Sequence, residues 1–302
     1  MFIREKQFLL IFVLFFLLFF NCVNGGHFVL VHGALHGAWC WYKAATLLKS
    51  AGHNVTALDM SASGINPRKT QEVLSISEYH EPLMEFMGSL PSKEKVILVG
   101  HSLGGLSVSV AMEKYPRKIH VAIFLSATVV SENFTYQDFI HERRKRVGFT
   151  FDKQYFIFDG ADKPPILSSD GFELISSRMY PLSPPQDLTL ALSLVRPLPP
   201  FTSNVELLSK QTAVTKDKNG RVPKVFFITE KDNLQTQDNQ EWIIERTGPY
   251  VEVKVIQGSD HMAMLSKPKK LSSELLKYTI HDHIINVDVP SLTSTLSYWS
   301  VL

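Results

Sequence analysis

Gly100-His101-Ser102-Leu103-Gly104 sets one hydroxyl between glycines, directly after the apolar run Val96–Val99 and at the head of a helical pattern. A serine on a sharp strand-to-helix turn has its hydroxyl pushed out above the sheet, where it can attack a carbonyl carbon. Glycines flank it because side chains there would collide with the adjoining strand and helix. The helix that opens at Leu103 also turns its free N–H groups and positive end towards the reacting centre. A serine hydroxyl is a weak nucleophile without a base to take its proton and an acid to orient that base. After such a turn the partners follow in chain order, acid first and histidine last. Asp232, in Thr229-Glu230-Lys231-Asp232-Asn233, and His261, in Gly258-Ser259-Asp260-His261-Met262, suit those positions. Glu230, Asp238 and Asp260 compete for the acid's role. His32-Gly33-Ala34 offers the Ala34 N–H to join that of Leu103 in an oxyanion hole.

These residues need a sheet to hold them. His27–Val31 is a short β-branched run ending in a turn, followed by an amphipathic stretch from Trp41 to Lys49. A strand over Asn54–Leu58, a helix over Ile76–Leu90 capped by Ser75 or Ser77, and strands over Val96–Val99 and Val121–Leu125 continue the alternation. It resumes with Val225–Thr229, a helix around Trp242 and a strand over Val251–Ile256. Such alternation implies βαβ units and a mainly parallel sheet flanked by helices. Asp232 and His261 then fall beyond the C-terminal ends of strands, where open α/β sheets gather their sites. Between about 130 and 200 the rhythm breaks, with Pro pairs and short helical patterns. An insertion of that length is too long for a plain loop and reads as a mostly helical cap. Phe139, Tyr155, Phe156, Phe158 and Met179 are its candidate pocket residues. The Arg143–Arg146 run reads as a solvated cap face, and Trp39 and Trp41 as packing.

Composition excludes several classes. The chain has 302 residues, 45% hydrophobic and 20% charged, as ordinary globular proteins have. With 31 basic and 29 acidic residues the net charge is +2, which gives no electrostatic reason to expect nucleic acid or an acidic membrane. The two cysteines, Cys22 and Cys40, form neither a disulfide framework nor a zinc spacing. His281-Asp282-His283 lacks a third ligand cluster and reads as a solvated tail. His53, His80, His120 and His141 read as surface or core histidines. No cofactor and no metal are expected, and the oligomeric state stays open, with a homodimer among the outcomes.

Residues 1–25 differ from the rest. Arg4 and Lys6 precede an unbroken apolar run from Phe8 to Phe20, and Val23 and Gly25 suit a processing site. This is the pattern of a secretory signal peptide, and the run is shorter than a membrane span requires. The expectation is a secreted or secretory-pathway protein without a membrane anchor after cleavage, its α/β domain with the cap insertion covering 26–302. On that route Asn54-Val55-Thr56 and Asn133-Phe134-Thr135 become candidate glycosylation sites.

The segments HFVLVHGALHGAWCWYK, LDMSASG, ILVGHSLGG, YPLSPPQDLTLALSLVRP and GSDHMAMLSKP resemble the plant methylesterase and hydroxynitrile lyase branch of the α/β-hydrolases, from His27 to about Tyr278. The resemblance implies a serine carboxylesterase acting on methyl esters of small acids, such as those of salicylate, jasmonate or indole-acetate. It places the nucleophile at Ser102, the acid at Asp232, the base at His261 and the oxyanion donors at Ala34 and Leu103. The chain departs from the family pattern in three places. The family is usually cytoplasmic and begins near His27. The stretch from Thr229 to Trp242 is one residue longer than usual, so counting back from Trp242 reaches Asp232 while counting forward from Thr229 reaches Lys231. The tail from about Ile280 extends past the usual end.

Two other functions share this pattern. S-selective lyases of the family carry a hydroxyl residue where Gly33 stands, to anchor the cyanohydrin oxygen, and a lysine where Met262 stands, to stabilise departing cyanide. Gly33 and Met262 offer neither. A small-ligand receptor with incidental hydrolysis would keep the same triad, and turnover rate is what separates it from an enzyme.

Overall fold

In the computed structural model, which describes residues 25–147, 155–158, 160, 165–201 and 204–279, six parallel strands form one sheet in the order β2-β1-β3-β4-β7-β8. They are β1 (His27–Val31), β2 (Asn54–Leu58), β3 (Val96–His101), β4 (Ile119–Leu125), β7 (Lys224–Thr229) and β8 (Glu252–Ile256). β5 (Phe156–Ile157) and β6 (Ile166–Leu167) form a separate antiparallel pair. Residues 1–24 and 280–302, which hold all but Gly25 of the expected leader together with His281, His283 and the tail, lie outside the described residues.

The middle strands are apolar almost without interruption because helices cover both faces of a parallel sheet. Every residue of β3 and β7 is buried, and Phe28, Phe124, Phe226 and Phe227 fill the core. β8, at the edge, instead alternates, leaving Val253 and Val255 exposed. Helix Tyr42–Ser50 packs on helix Pro268–Leu276, and helix Ile76–Ser89 on helix Gly104–Lys114. Of the two serines that could cap helix Ile76–Ser89, Ser75 does so, its side chain accepting from Glu78 N–H at 3.2 Å in a capping box.

Strand order positions the site. The chain moves outward from β1 to β2, then crosses back to place β3 on the other side of β1. Where the order reverses, the loops leaving the C-terminal ends of β1 and β3 part and open a crevice. His32–Ala34 leave β1 there, and Ser102 follows β3 in the same crevice. Between β4 and β7 lie helix Tyr136–Val147, β5 and β6, helix Ser169–Glu173 running into a wider turn at Leu174–Met179, and helices Pro185–Leu194 and Val205–Thr212.

Candidate active site

Ser102 sits at the turn that its flanking glycines foreshadow. β3 extends through His101, past the expected end at Val99, and Ser102 follows with φ +51° before the helix begins at Gly104. A non-glycine residue there carries strain on the order of 1–3 kcal/mol. The surrounding backbone holds it: Ser102 N–H donates to Leu125 O at 3.2 Å, and Ser102 O accepts from Thr128 N–H at 2.9 Å and Gly105 N–H at 3.1 Å. Gly104 is required by close approach, since a Cβ there would lie 2.6 Å from His32 O and 2.7 Å from Val31 O. The helix N-terminus is thereby pressed against the end of β1.

His261 and Asp232 meet on loops that follow β8 and β7. His261 Nδ1 lies 2.7 Å from Asp232 Oδ2, both side chains fully buried, while His261 Nε2 has no hydrogen-bond partner among the described residues. Asp232 accepts four further bonds, from the hydroxyls of Ser126 and Thr229 at 2.7 Å each and the N–H groups of Leu234 at 2.8 Å and Gln235 at 2.7 Å. Burial pushes its carboxyl pKa up, but the attraction of His261 and these bonds outweigh it and hold the pKa below the ordinary value. Asp232 stays charged in a site that excludes water.

The competing acids serve elsewhere. Glu230 accepts from Gly258 N–H at 2.7 Å and Asp238 is exposed. Asp260 accepts from Leu182 N–H at 3.0 Å and Ser183 Oγ at 2.8 Å, so it fastens the segment after Tyr180 to the loop of His261.

The loop after β1 is set by two histidines to which the sequence reading gave no role. His32 Nε2 accepts the Met60 N–H at 3.1 Å, which leaves the proton on Nδ1, and Nδ1–H donates to Gly33 O at 2.7 Å. His36 Nδ1–H donates to Ala34 O at 2.8 Å, and its Nε2 accepts from the Tyr180 hydroxyl at 2.7 Å. Burial lowers the pKa of both rings, that of His36 to about 3, so they stay neutral at neutral pH. Neither Ala34 N–H nor Leu103 N–H donates to another backbone carbonyl among the described residues. His101 Nε2–H donates to His261 O at 2.9 Å, tying the serine turn to the histidine loop. Polar residues beside glycines on a turn are the signal that would have found His32 and His36.

A cavity of about 660 Å³ opens over Ser102, with Ala34 and Leu103 in its lining. Phe139, Tyr155, Phe156 and Phe158 line it as anticipated, whereas Met179 is buried away from it. The basic run departs from the sequence reading. Arg144, Lys145 and Arg146 are exposed, but Arg143 is buried and lines the cavity with Gln235. Successive helical residues point about 100° apart, so a four-residue run reaches around most of the helix and one member can face the cavity. Trp41 is buried as a packing residue and Trp39 lies tilted against His36, ring centres 5.2 Å apart. His80 is a core histidine, 2.7 Å from Ser107 Oγ.

A nucleophile turn, a paired base and acid, two backbone donors and a mostly apolar cavity can together perform acyl transfer. The model of an alpha/beta hydrolase family matches residues 28–274. Methyl jasmonate esterase 1 of Vitis vinifera is 52% identical over 253 residues, 82% of this chain and 95% of that protein. Salicylic acid-binding protein 2 of Nicotiana tabacum is 43% identical over 258 residues, 84% of this chain and 97% of that protein. Among solved structures, polyneuridine aldehyde esterase superposes with TM-score 0.74 at 37% identity, covering 85% of this chain and 100% of that one. With identity of this extent over nearly the whole length of those relatives, the chain belongs to the plant methylesterase branch of the α/β-hydrolases and is a carboxylic ester hydrolase.

Proposed function

We propose that the chain hydrolyses methyl esters of small plant-hormone acids, of the jasmonate, salicylate and indole-acetate kind, with Ser102, His261 and Asp232 as its triad. The observation that carries this reading is the buried 2.7 Å bond between His261 and Asp232, on a loop that His101 ties to the turn of Ser102, which lines a mostly apolar cavity. The names of the grape and tobacco relatives support the choice of acids.

In this mechanism His261 Nε2 takes the Ser102 hydroxyl proton as the oxygen attacks the ester carbonyl. The Ala34 and Leu103 N–H groups receive the resulting oxyanion. The proton passes from His261 to the departing methoxide, which leaves as methanol, and an acyl group remains on Ser102. Water then attacks the acyl carbon, His261 takes its proton and returns it to Ser102, and the free acid leaves. Asp232 stays ionised throughout, holding the proton on His261 Nδ1 and stabilising the imidazolium. Gly33 supplies no hydroxyl and Met262 no charge for cyanide release.

Hydrolysis of methyl jasmonate, methyl salicylate and methyl indole-acetate by chain 26–302, beside Ser102→Ala, tests the reading. Turnover that disappears in Ser102→Ala is the expected result; turnover that survives it, or cyanide release from mandelonitrile in its place, overturns it. The basic start and apolar run of residues 1–25 support entry into the secretory pathway. Sequencing the N-terminus of protein recovered from the medium of plant cells tests that part, and retention of the full chain in the cytoplasm overturns it.

A further inference from the structure

Gln235 lies in the wall of the cavity above Ser102 with its carboxamide buried, the residue only 3% exposed. Its main chain is committed on both sides: the N–H donates to Asp232 Oδ1 at 2.7 Å and the carbonyl accepts from Gln240 Nε2 at 2.7 Å. The side chain is therefore anchored at its root, yet its Nε2 has no hydrogen-bond partner among the described residues. Buried amide donors are nearly always paired, so an orphan beside a ligand cavity calls for an acceptor supplied by the ligand. Phe139, Phe156, Leu198 and Leu208 contribute apolar surface to the same lining.

The local field favours an acceptor. Arg143 lines the same cavity, buried, and interacts electrostatically with Asp232, the carboxylate that also holds the Gln235 N–H. Whatever else the guanidinium engages, a buried positive charge in the lining favours a ligand that carries a carbonyl oxygen over a wholly apolar one. The triad needs no donor at this position, since the ester carbonyl is served at Ala34 and Leu103.

We propose that Gln235 is a specificity-determining residue whose Nε2 donates to a second carbonyl oxygen on the acyl group, making oxo-acid methyl esters the preferred substrates. This rests on the esterase reading above and narrows it. Sites built to hydrogen-bond a substrate group discriminate against analogues that lack it, because the buried partner is then left unpaired.

The test compares kcat/KM for methyl jasmonate, which carries a ring ketone, with that for its deoxo analogue, in which a methylene replaces the ketone. Wild type and the near-isosteric Gln235→Met are assayed together, with thermal melts to verify folding. The expected result is a preference of about tenfold or more for the oxo ester in wild type. In Gln235→Met that preference collapses to about twofold or less, mainly through a higher KM for the oxo ester. A preference that persists in Gln235→Met, equal losses on both esters, or equal turnover of both by wild type overturns the role of Gln235 while leaving the esterase reading intact. Hydrolysis of neither ester by folded wild type overturns both.

Discussion

The Nδ1–H of His32 donates to the carbonyl oxygen of Gly33 at 2.7 Å, and that carbonyl shares a peptide unit with the Ala34 N–H. A trans peptide points its C=O and N–H in opposite directions. Holding one end from behind therefore aims the other, and hydrogen bonding to the carbonyl strengthens the N–H as a donor. The Met60 N–H fixes the ring's tautomer, so the arrangement is set before any substrate arrives. His32→Ala is expected to lower kcat about tenfold to a hundredfold with KM little changed, less than the cost of a lost oxyanion donor. His32→Asn, which restores a donor near Nδ1, should recover part of the loss in the same steady-state assay.

Asp232 and Glu230 separate cleanly by substitution. Asp232→Asn keeps the shape but offers the wrong hydrogen-bond partner to His261 Nδ1–H, and kcat should fall by about 10³–10⁴. Glu230→Gln should leave kcat within about twofold, because Glu230 faces Gly258. Equal losses in both variants would remove Asp232 from the triad.

The depressed pKa of Asp232 also has a stability consequence. Its unfolded carboxyl titrates near 3.8 and its folded one lower. The native state thus binds fewer protons in that window, and the stabilisation is complete above the unfolded value and lost as pH falls through the folded one. Urea melts at stepped pH should show the gap between wild type and Asp232→Asn constant above about pH 5 and narrowing towards pH 3.

Gly33 is a steric requirement. A Cβ there would stand 2.9 Å from Ser102 Cβ and 3.0 Å from His101 Nδ1, and both belong to the tightly bonded serine turn. Gly33→Thr should cost about tenfold or more in kcat/KM, with a loss of a few degrees in Tm from overpacking. Unchanged ester kinetics would show that the loop gives way.

Lys224 carries a pH signature of the same sign in an alkaline window. It is buried at the start of β7, donates to Thr247 O, lies over the Tyr250 ring at 5.1 Å, and burial lowers its pKa to about 8. Below pH 8 both folded and unfolded chains hold its proton. Between about 8 and 10.5 only the unfolded chain does, so stability rises with pH across that window. Relative to Lys224→Met, wild type should gain about 1 kcal/mol between pH 8 and pH 9.5 in denaturant melts. A difference that is flat with pH would show that Lys224 titrates normally.

The sequence by itself determined the scaffold and the order of the chemistry. Val96–Val99, Val225–Thr229 and the apolar stretches around them read as buried parallel strands because a sheet covered on both faces tolerates little else. Gly100 to Gly104 marked the serine turn because only small residues fit where strand and helix nearly touch. These are local constraints, and local sequence reports them. What tertiary structure decided were matters of distance across the chain. Four nearby carboxylates looked alike until Asp232 alone met His261, because loops 29 residues apart converge only once β7 and β8 pair. Arg143 turned inward from a run that looked solvated, and His32, His36 and Gln235 acquired partners or a place in the cavity wall only when β1, the helices between β4 and β7, and the Asp232 loop closed on one another. Periodicity reveals which face of an element is buried; it carries no information about which distant group shares that burial.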